Sequence, residues 1–380
     1  MKNYVEQFNR TNNDYYIHII DYSDFNTEDD WTIGITKLST DIVSGRTPDI
    51  LDVSNLPFSR YVDRGLLVDL YTLLDADPKF RRSDFFESVL RASELDGGLY
   101  RIFPYFYVTT VLGHPSVLGS DMGWTIDEFE TVLDANSQAD FPMGQYMNNE
   151  QFLFSAIWVT IDEFVDWEAG EVHFDTGAFA KLLELAGRFP KDFIYSEADE
   201  NALIATGRQI MMPTSIWDFQ GFQRYLSMFG GEIVFKGFPT ESANGNSLFI
   251  GSSLAITTSS ADIDGAWEFL SGFLASDWQR EHVMHVGFPT NISAFNYLID
   301  DAGREMEEHE DDFVNPLTQE DIDSFIALIE SVHSIASHDD ALMNIIRDGA
   351  SDFFNGNASA QDVARIIQGR ASIFMAEQQR

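Results

Sequence analysis

Apolar positions along this chain switch repeatedly between helical spacing and short continuous runs. Over 31–43, Trp31, Ile35, Leu38, Ile42 and Val43 recur at helical spacing. Gly45 then offers a left-handed stop and Pro48 blocks continuation, so the pattern predicts a helix that ends there. The apolar run 50–53 predicts a short strand ending in Ser54 and Asn55. Small polar residues at the carboxyl end of a strand lie where open α/β sheets hold ligands, which makes both candidate contacts. Nearer the start, Tyr4, Val5 and Phe8 form one helical stripe, with Asn3 and Glu6 spaced as a capping box. The run 15–22 reads as a strand apolar on both faces, as in a covered parallel sheet. This alternation, continued to Pro104, argues for α/β architecture with mainly parallel strands.

Residues 124–229 read as mostly helical. Their stripe of Phe129, Val132 and Leu133, then Phe152, Ile157 and Phe164, belongs to a second core. Residues 247–257 read as one strand returning to the first unit, and 266–285 as a helix on it. The tail from Thr318 is helical, with Ile322, Phe325, Ile326 and Ile329, later Val363, Ile366 and Ile367, at three- and four-residue intervals.

Composition narrows the possibilities. A chain of 380 residues, 44% of them hydrophobic and 32 of them Phe, has material for two cores and is not disordered. The formal charge of −39 excludes a phosphate-backbone partner, since nucleic-acid affinity rests on Lys and Arg, and it argues against adhesion to anionic lipid. The supply of Phe, Trp and Ile favours an acidic, solvated exterior over salt adaptation. Cysteine is absent, which removes disulfides, thiol catalysis and Cys-zinc sites together. No run of about 18 apolar residues is present, and the start reads as a polar helix rather than a signal peptide. The acidic stretch 305–312 reads as a solvated loop, without the glycine and spacing of a calcium loop.

Several short segments, in order, resemble one large family. They are Pro48-Asp49-Ile50 before the strand; YVDRGLLVDL over 61–70; DGGLYRIFP over 96–104; WTIDEF over 124–129; and 201–212, 251–256 and Gly287-Phe288-Pro289. Together the chain resembles the extracellular solute-binding proteins of ABC transporters, in their carbohydrate-type, maltose-binding-protein-like branch. His114-Pro115 departs from the family's usual residues at that point. The resemblance implies an α/β, two-lobed periplasmic-binding-protein-like fold of type II, each lobe a mainly parallel sheet flanked by helices, with a hinge between. It implies a discontinuous N-lobe of 1–107 with 250–312, and a C-lobe of 108–249 with 313–380. Members begin with a strand before the first helix; here that strand is missing, and the expectation is a chain cut from a longer polypeptide whose export signal and any lipid anchor are gone.

The same resemblance nominates site residues. Sugar sites set aromatic faces against the apolar faces of rings and planar polar groups against hydroxyls. Trp217 leads, following 212–216 where the family chain leaves a strand. Tyr105 and Tyr107 sit at the crossover, and alternation puts them on one side with Phe106 on the other. Trp31 and Asp30 open a helix whose N-terminus would face the cleft, as a ligand contact or as a plain cap. Ser252 and Ser253 lie in the returning strand, and Phe288 could close the rim. Trp158, Trp167 and Trp278 are assigned to packing.

Catalytic patterns are weaker. Carboxylates are too numerous to nominate a glycosidase pair. No Gly-x-Ser-x-Gly elbow, phosphate loop or His-Glu-x-x-His helix occurs. His282 and His285, three apart on one predicted helix, read as an ordinary helix face rather than a metal pair. The expected function is an extracellular receptor, periplasmic or lipid-anchored, that binds a sugar or oligosaccharide between closing lobes. It needs no cofactor or metal, acts as a monomer, has an ABC permease as partner by resemblance, and takes no nucleic acid. The alternatives are a binding-fold module of a larger surface lipoprotein, with an assembly or sensing role, and a glycoside-acting enzyme.

Overall fold

The computed structural model describes residues 2–378, except Trp31, Glu168, His285, 309–316, Ser337 and His338. It opens with the helix Lys2–Thr11, which buries Val5 and Phe8. The next helix, Ile33–Val43, ends at Gly45, whose φ of 78° is the left-handed value that glycine supplies without strain. At this turn Asp41 binds Lys37, Arg46 and the Tyr22 hydroxyl, and these partners hold its carboxyl down to about 2.

Nine named strands follow among the described residues: β1 Ile50–Asp52, β2 Tyr105–Gly113, β3 Val165–Asp166, β4 Glu171–Val172, β5 Met211–Ile216, β6 Val234–Phe235, β7 Ser247–Ile250, β8 Leu254–Ile256 and β9 Phe288–Pro289. β1 pairs with β8, with Leu51 opposite Ala255. β2 is the long member of the second sheet. One edge takes β9 at Tyr105 and Phe106 and then β5 from Val108 to Gly113; the other takes β7 at 106–109 and then β6 at Leu112 and Gly113.

Every ladder between named strands runs antiparallel, and parallel pairing occurs only as single bridges such as Leu248 with Ile335. The mainly parallel sheets expected from the alternation of elements are therefore replaced by antiparallel ones. The reason lies in β2, which collects four partners that all return in the opposite sense. The strand expected at 15–22 does not form either. Asn9 takes both backbone groups of Ile17, accepting from its amide at 2.7 Å and donating to its carbonyl at 2.8 Å. A ladder would need those same groups. Tyr16 is left 75% exposed, with Ile19 and Ile20 beside it in the open.

Two other expected elements are interrupted. The returning strand breaks between β7 and β8 at Gly251, where the Tyr105 ring fills the space a side chain would need: a Cβ there would lie 2.2 Å from Tyr105 Cζ. The helix expected over 266–285 is split into Ile263–Ser271, a 3-10 turn Gly272–Leu274, and Ser276–His282. The Tyr4 hydroxyl presses on Gly272, and buried Gln279 donates to the freed Phe273 carbonyl at 2.9 Å.

Side chains pack into four apolar clusters. One, around Phe129, Phe152, Phe179 and Ile367, joins the helices after residue 124 to the C-terminal helix. Two smaller ones lie on either face of the β1–β8 pair. The fourth, with Phe106, Val108, Phe219, Leu248, Phe288 and Phe325, backs the β2 sheet. Among the described residues no helix is long and apolar enough to cross a membrane.

Candidate functional site

β2 alternates strictly at its start. Phe106 and Val108 are fully buried, while Tyr105, Tyr107 and Thr109 are partly exposed on the opposite face. Neighbouring strands keep the same phase. Ile216 and Leu248, both opposite Val108, are buried, whereas Ser215 and Phe249, opposite Thr109 and Tyr107, belong to the partly exposed face. The sheet therefore has one dry face and one face of aromatics and hydroxyls.

On the second face Tyr107 stacks on Phe249, with ring centroids 4.7 Å apart and planes 13° apart. Trp158, at the end of the helix Asn149–Thr160 and 40% exposed, meets Phe249 edge-on at 6.3 Å. One row along, the Thr109 and Ser215 hydroxyls bond at 3.0 Å. Burial and the neighbouring Tyr105 phenol push the Tyr107 hydroxyl up to about 12, so it stays a protonated donor at any physiological pH. The Tyr105 ring lies over Gly251 and Gly287, both of which lack the Cβ that would displace it.

Trp217 follows β5. At the row of Tyr107 that edge of the sheet passes to the incoming β9, so the chain turns away and the indole stands 56% exposed. Asp218, next in line, caps the helix Phe219–Met228 by accepting from the Gly221 amide at 2.5 Å. That cap fixes where the chain leaves the sheet.

The other nominated residues separate. Ser54 and Asn55 are exposed at the end of β1, and Ser252 is exposed beside them. The Ser54 hydroxyl is already engaged, donating to Asp52 at 2.6 Å and accepting from the Ser253 amide at 2.9 Å. Ser253 itself is fully buried, and its hydroxyl has no partner among the described residues. Asp30 is exposed and accepts from the Thr32 amide and hydroxyl, bonds that hold its carboxyl below the usual range. Trp31, His285 and 309–312 of the acidic stretch lie outside the described residues.

Phe288 is a correction. It is 0% exposed, packed against Phe106, Phe219, Phe295 and Phe325, and cannot form a rim. As part of β9 its side chain falls on the dry face, in phase with Phe106. Trp158, read as packing, stands instead at the edge of the aromatic row. Phe249 and the Thr109–Ser215 pair were not nominated at all. The register of 247–250 against β2, once known, identifies Phe249.

Fold and sheet face together define a two-lobed solute receptor. Residues 3–296 match the family of bacterial extracellular solute-binding proteins, and the chain belongs to that family. No curated protein matches it. Among solved structures it is similar to the sugar-binding protein MalE from Xanthomonas citri, at 17% identity and a TM-score of 0.61, over 92% of this chain and 89% of that one. It is similar to a putative oligosaccharide periplasmic-binding protein from Synechococcus sp. MITs9220, at 14% identity and 0.59, over 100% and 96%. A cyclic alpha-maltosyl-1,6-maltose binding protein from Arthrobacter globiformis gives 17% and 0.55, over 99% and 95%. At these identities the likeness establishes the two-lobed periplasmic-binding fold.

Proposed function

We propose that this chain is the sugar- or oligosaccharide-binding receptor of an ABC importer, working outside the cell membrane and presenting its loaded form to a permease. The observation that carries the reading is the exposed face of the β2 sheet. There a stacked Tyr107–Phe249 pair, the Trp158 edge and the free Trp217 ring adjoin hydroxyls of Thr109 and Ser215. Aromatic faces and short hydroxyl ledges are what pyranose rings recognise. Similar structures, a sugar-binding MalE and a cyclic alpha-maltosyl-1,6-maltose binding protein, support that ligand class.

In this reading Trp217, Tyr105, Tyr107, Phe249 and Trp158 form one wall, and Ser54, Asn55 and Ser252 stand on the other. Asp30 extends that second wall. The lobes comprise 1–107 with 250–312 and 108–249 with 313–380, and β2 passes between them. Ligand shifts the lobes toward closure only through contacts it makes to both. The protein needs no catalytic group for this task and acts as a monomer, either periplasmic or held at the surface by a lipid.

The test is a thermal-shift screen of ligand-free protein against mono- and oligosaccharides, with amino acids and short peptides as controls. A ligand at 100 times its Kd adds about 2.7 kcal/mol, and a chain of this size then melts about 3 °C higher. A shift with one saccharide class, reduced in Trp217→Ala, supports the reading. A shift with peptides or amino acids alone overturns it.

A further inference from the structure

Beside β1 and β8, Arg101 combines a buried guanidinium nitrogen with the absence of an ion pair among the described residues. Arg101 lies one residue before Ile102, which bridges Leu254 of β8. That register sets Arg101 across from Ala255, on the face shared by Leu51, Val53 and Ser253. Its guanidinium carbon sits 4.2 Å from the centroid of Phe58, at the start of the helix Phe58–Asp63. Its Nε is buried and has no hydrogen-bond partner. No carboxylate lies within ion-pair distance of Arg101 among the described residues, although Arg46, Arg82, Arg188, Arg208 and Arg365 all have one.

A guanidinium held this way is costly to leave unpaired. Burial alone brings it down to about 10, with no neighbouring carboxylate to offset the loss of water. One row nearer the strand end, the Ser253 hydroxyl is a second buried polar group without a partner. The same helix carries Arg60 and, at its C-cap, Arg64, neither in an ion pair among the described residues.

We propose that the end of β1 is an oxyanion subsite, and that the saccharide taken by the cleft is acidic, its carboxylate or sulfate held by the Arg101 fork above the Phe58 ring. The inference rests on the carbohydrate reading and narrows it. A guanidinium held over an aromatic ring keeps its planar fork of N–H donors, the group that recognises oxyanions in bidentate fashion. The overall negative charge opposes such a ligand at long range. At physiological salt, however, exposed charges beyond about 8 Å are largely screened, so the direct contact to Arg101 decides.

The experiment titrates the whole chain with paired disaccharides of the same linkage, one uronate-containing and one neutral, across several linkages, with a sulfated counterpart to tell the two oxyanions apart. The expected result is at least tenfold tighter binding of the acidic member, a preference that shrinks as sodium chloride rises. In Arg101→Met the ratio of the two affinities should fall to about one. Arg101→Lys, which keeps the charge and loses the fork, should give an intermediate ratio and serves if the Met variant folds poorly. Equal binding of acidic and neutral members, or a preference that survives Arg101→Met, overturns the subsite and leaves the carbohydrate reading standing. Binding of no saccharide in the panel overturns both.

Discussion

The two faces of the β2 sheet are separated by the thickness of one strand and have opposite physics. Behind it, Phe106, Val108, Ile216, Leu248 and Phe288 are sealed from water, with Phe288 and Phe325 centroids 4.8 Å apart. In front, Tyr107 and Phe249 stack just as closely, yet their row ends in partly exposed indoles at Trp158 and Trp217. Aromatic content alone does not distinguish core from site. What distinguishes them is whether the next layer exists: helices cover the rear face, and the front face has only partial cover. A stacked pair contributes about 0.5–1.5 kcal/mol beyond its burial on either face. On the front face that energy holds the Tyr107–Phe249 pair in place.

Adjacent residues therefore should fail in different ways. The largest effect is expected from Phe106→Ala, which empties a fully buried site and should cost about 3–5 kcal/mol in denaturant unfolding. A loss below about 1 kcal/mol would mean that the rear face is not the core it looks to be.

Gly251→Ala sharpens the boundary between the faces. Its new methyl would lie 2.2 Å from the Tyr105 ring, so the ring must move, at a cost of about 1–3 kcal/mol. Combining it with Tyr105→Ala should recover most of that loss, and a double-mutant cycle with no coupling would sink the account.

On the front face, Trp217→Ala should leave the melting point almost unchanged, since the ring is largely in solvent, while weakening saccharide binding by about tenfold or more. Unchanged affinity would remove Trp217 from the wall. The smallest effect is spectroscopic. With its folded value raised to about 12, the Tyr107 phenol contributes stability that is present below the unfolded value near 10 and lost as pH rises through 12. The difference in tyrosinate absorbance between the protein and Tyr107→Phe should therefore rise near pH 12. A step near 10 would show that the Tyr107–Phe249 stack is open to water.

Much of this organisation is legible in the chain. The helix ending at Gly45, the strand at 50–52 and the helical tail all follow from local spacing and turn chemistry. So do the opposite phases of Phe106 and its two tyrosine neighbours, because a strand has period two. The errors arise where a distant residue intervenes. Asn9 occupies the backbone that a strand at 15–22 would use, and Tyr4 and Tyr105 impose breaks at Gly272 and Gly251. Phe288 was nominated for a similar reason: on a single chain it is one more large apolar ring, and only the covering layer shows that it is core.

What the sequence by itself determined is therefore those helices and short strands that local spacing and turn residues fix, the two phases at the start of β2, and the membership in a solute-binding family carried by ordered short motifs. These depend on bonds and side chains a few residues apart. The tertiary structure alone decided the sense of strand pairing, which face of the β2 sheet meets solvent, the alignment of Phe249 with Tyr107, and the lack of an ion pair at Arg101 among the described residues. Each of those depends on which remote segment arrives as neighbour, and no local spacing encodes that arrival.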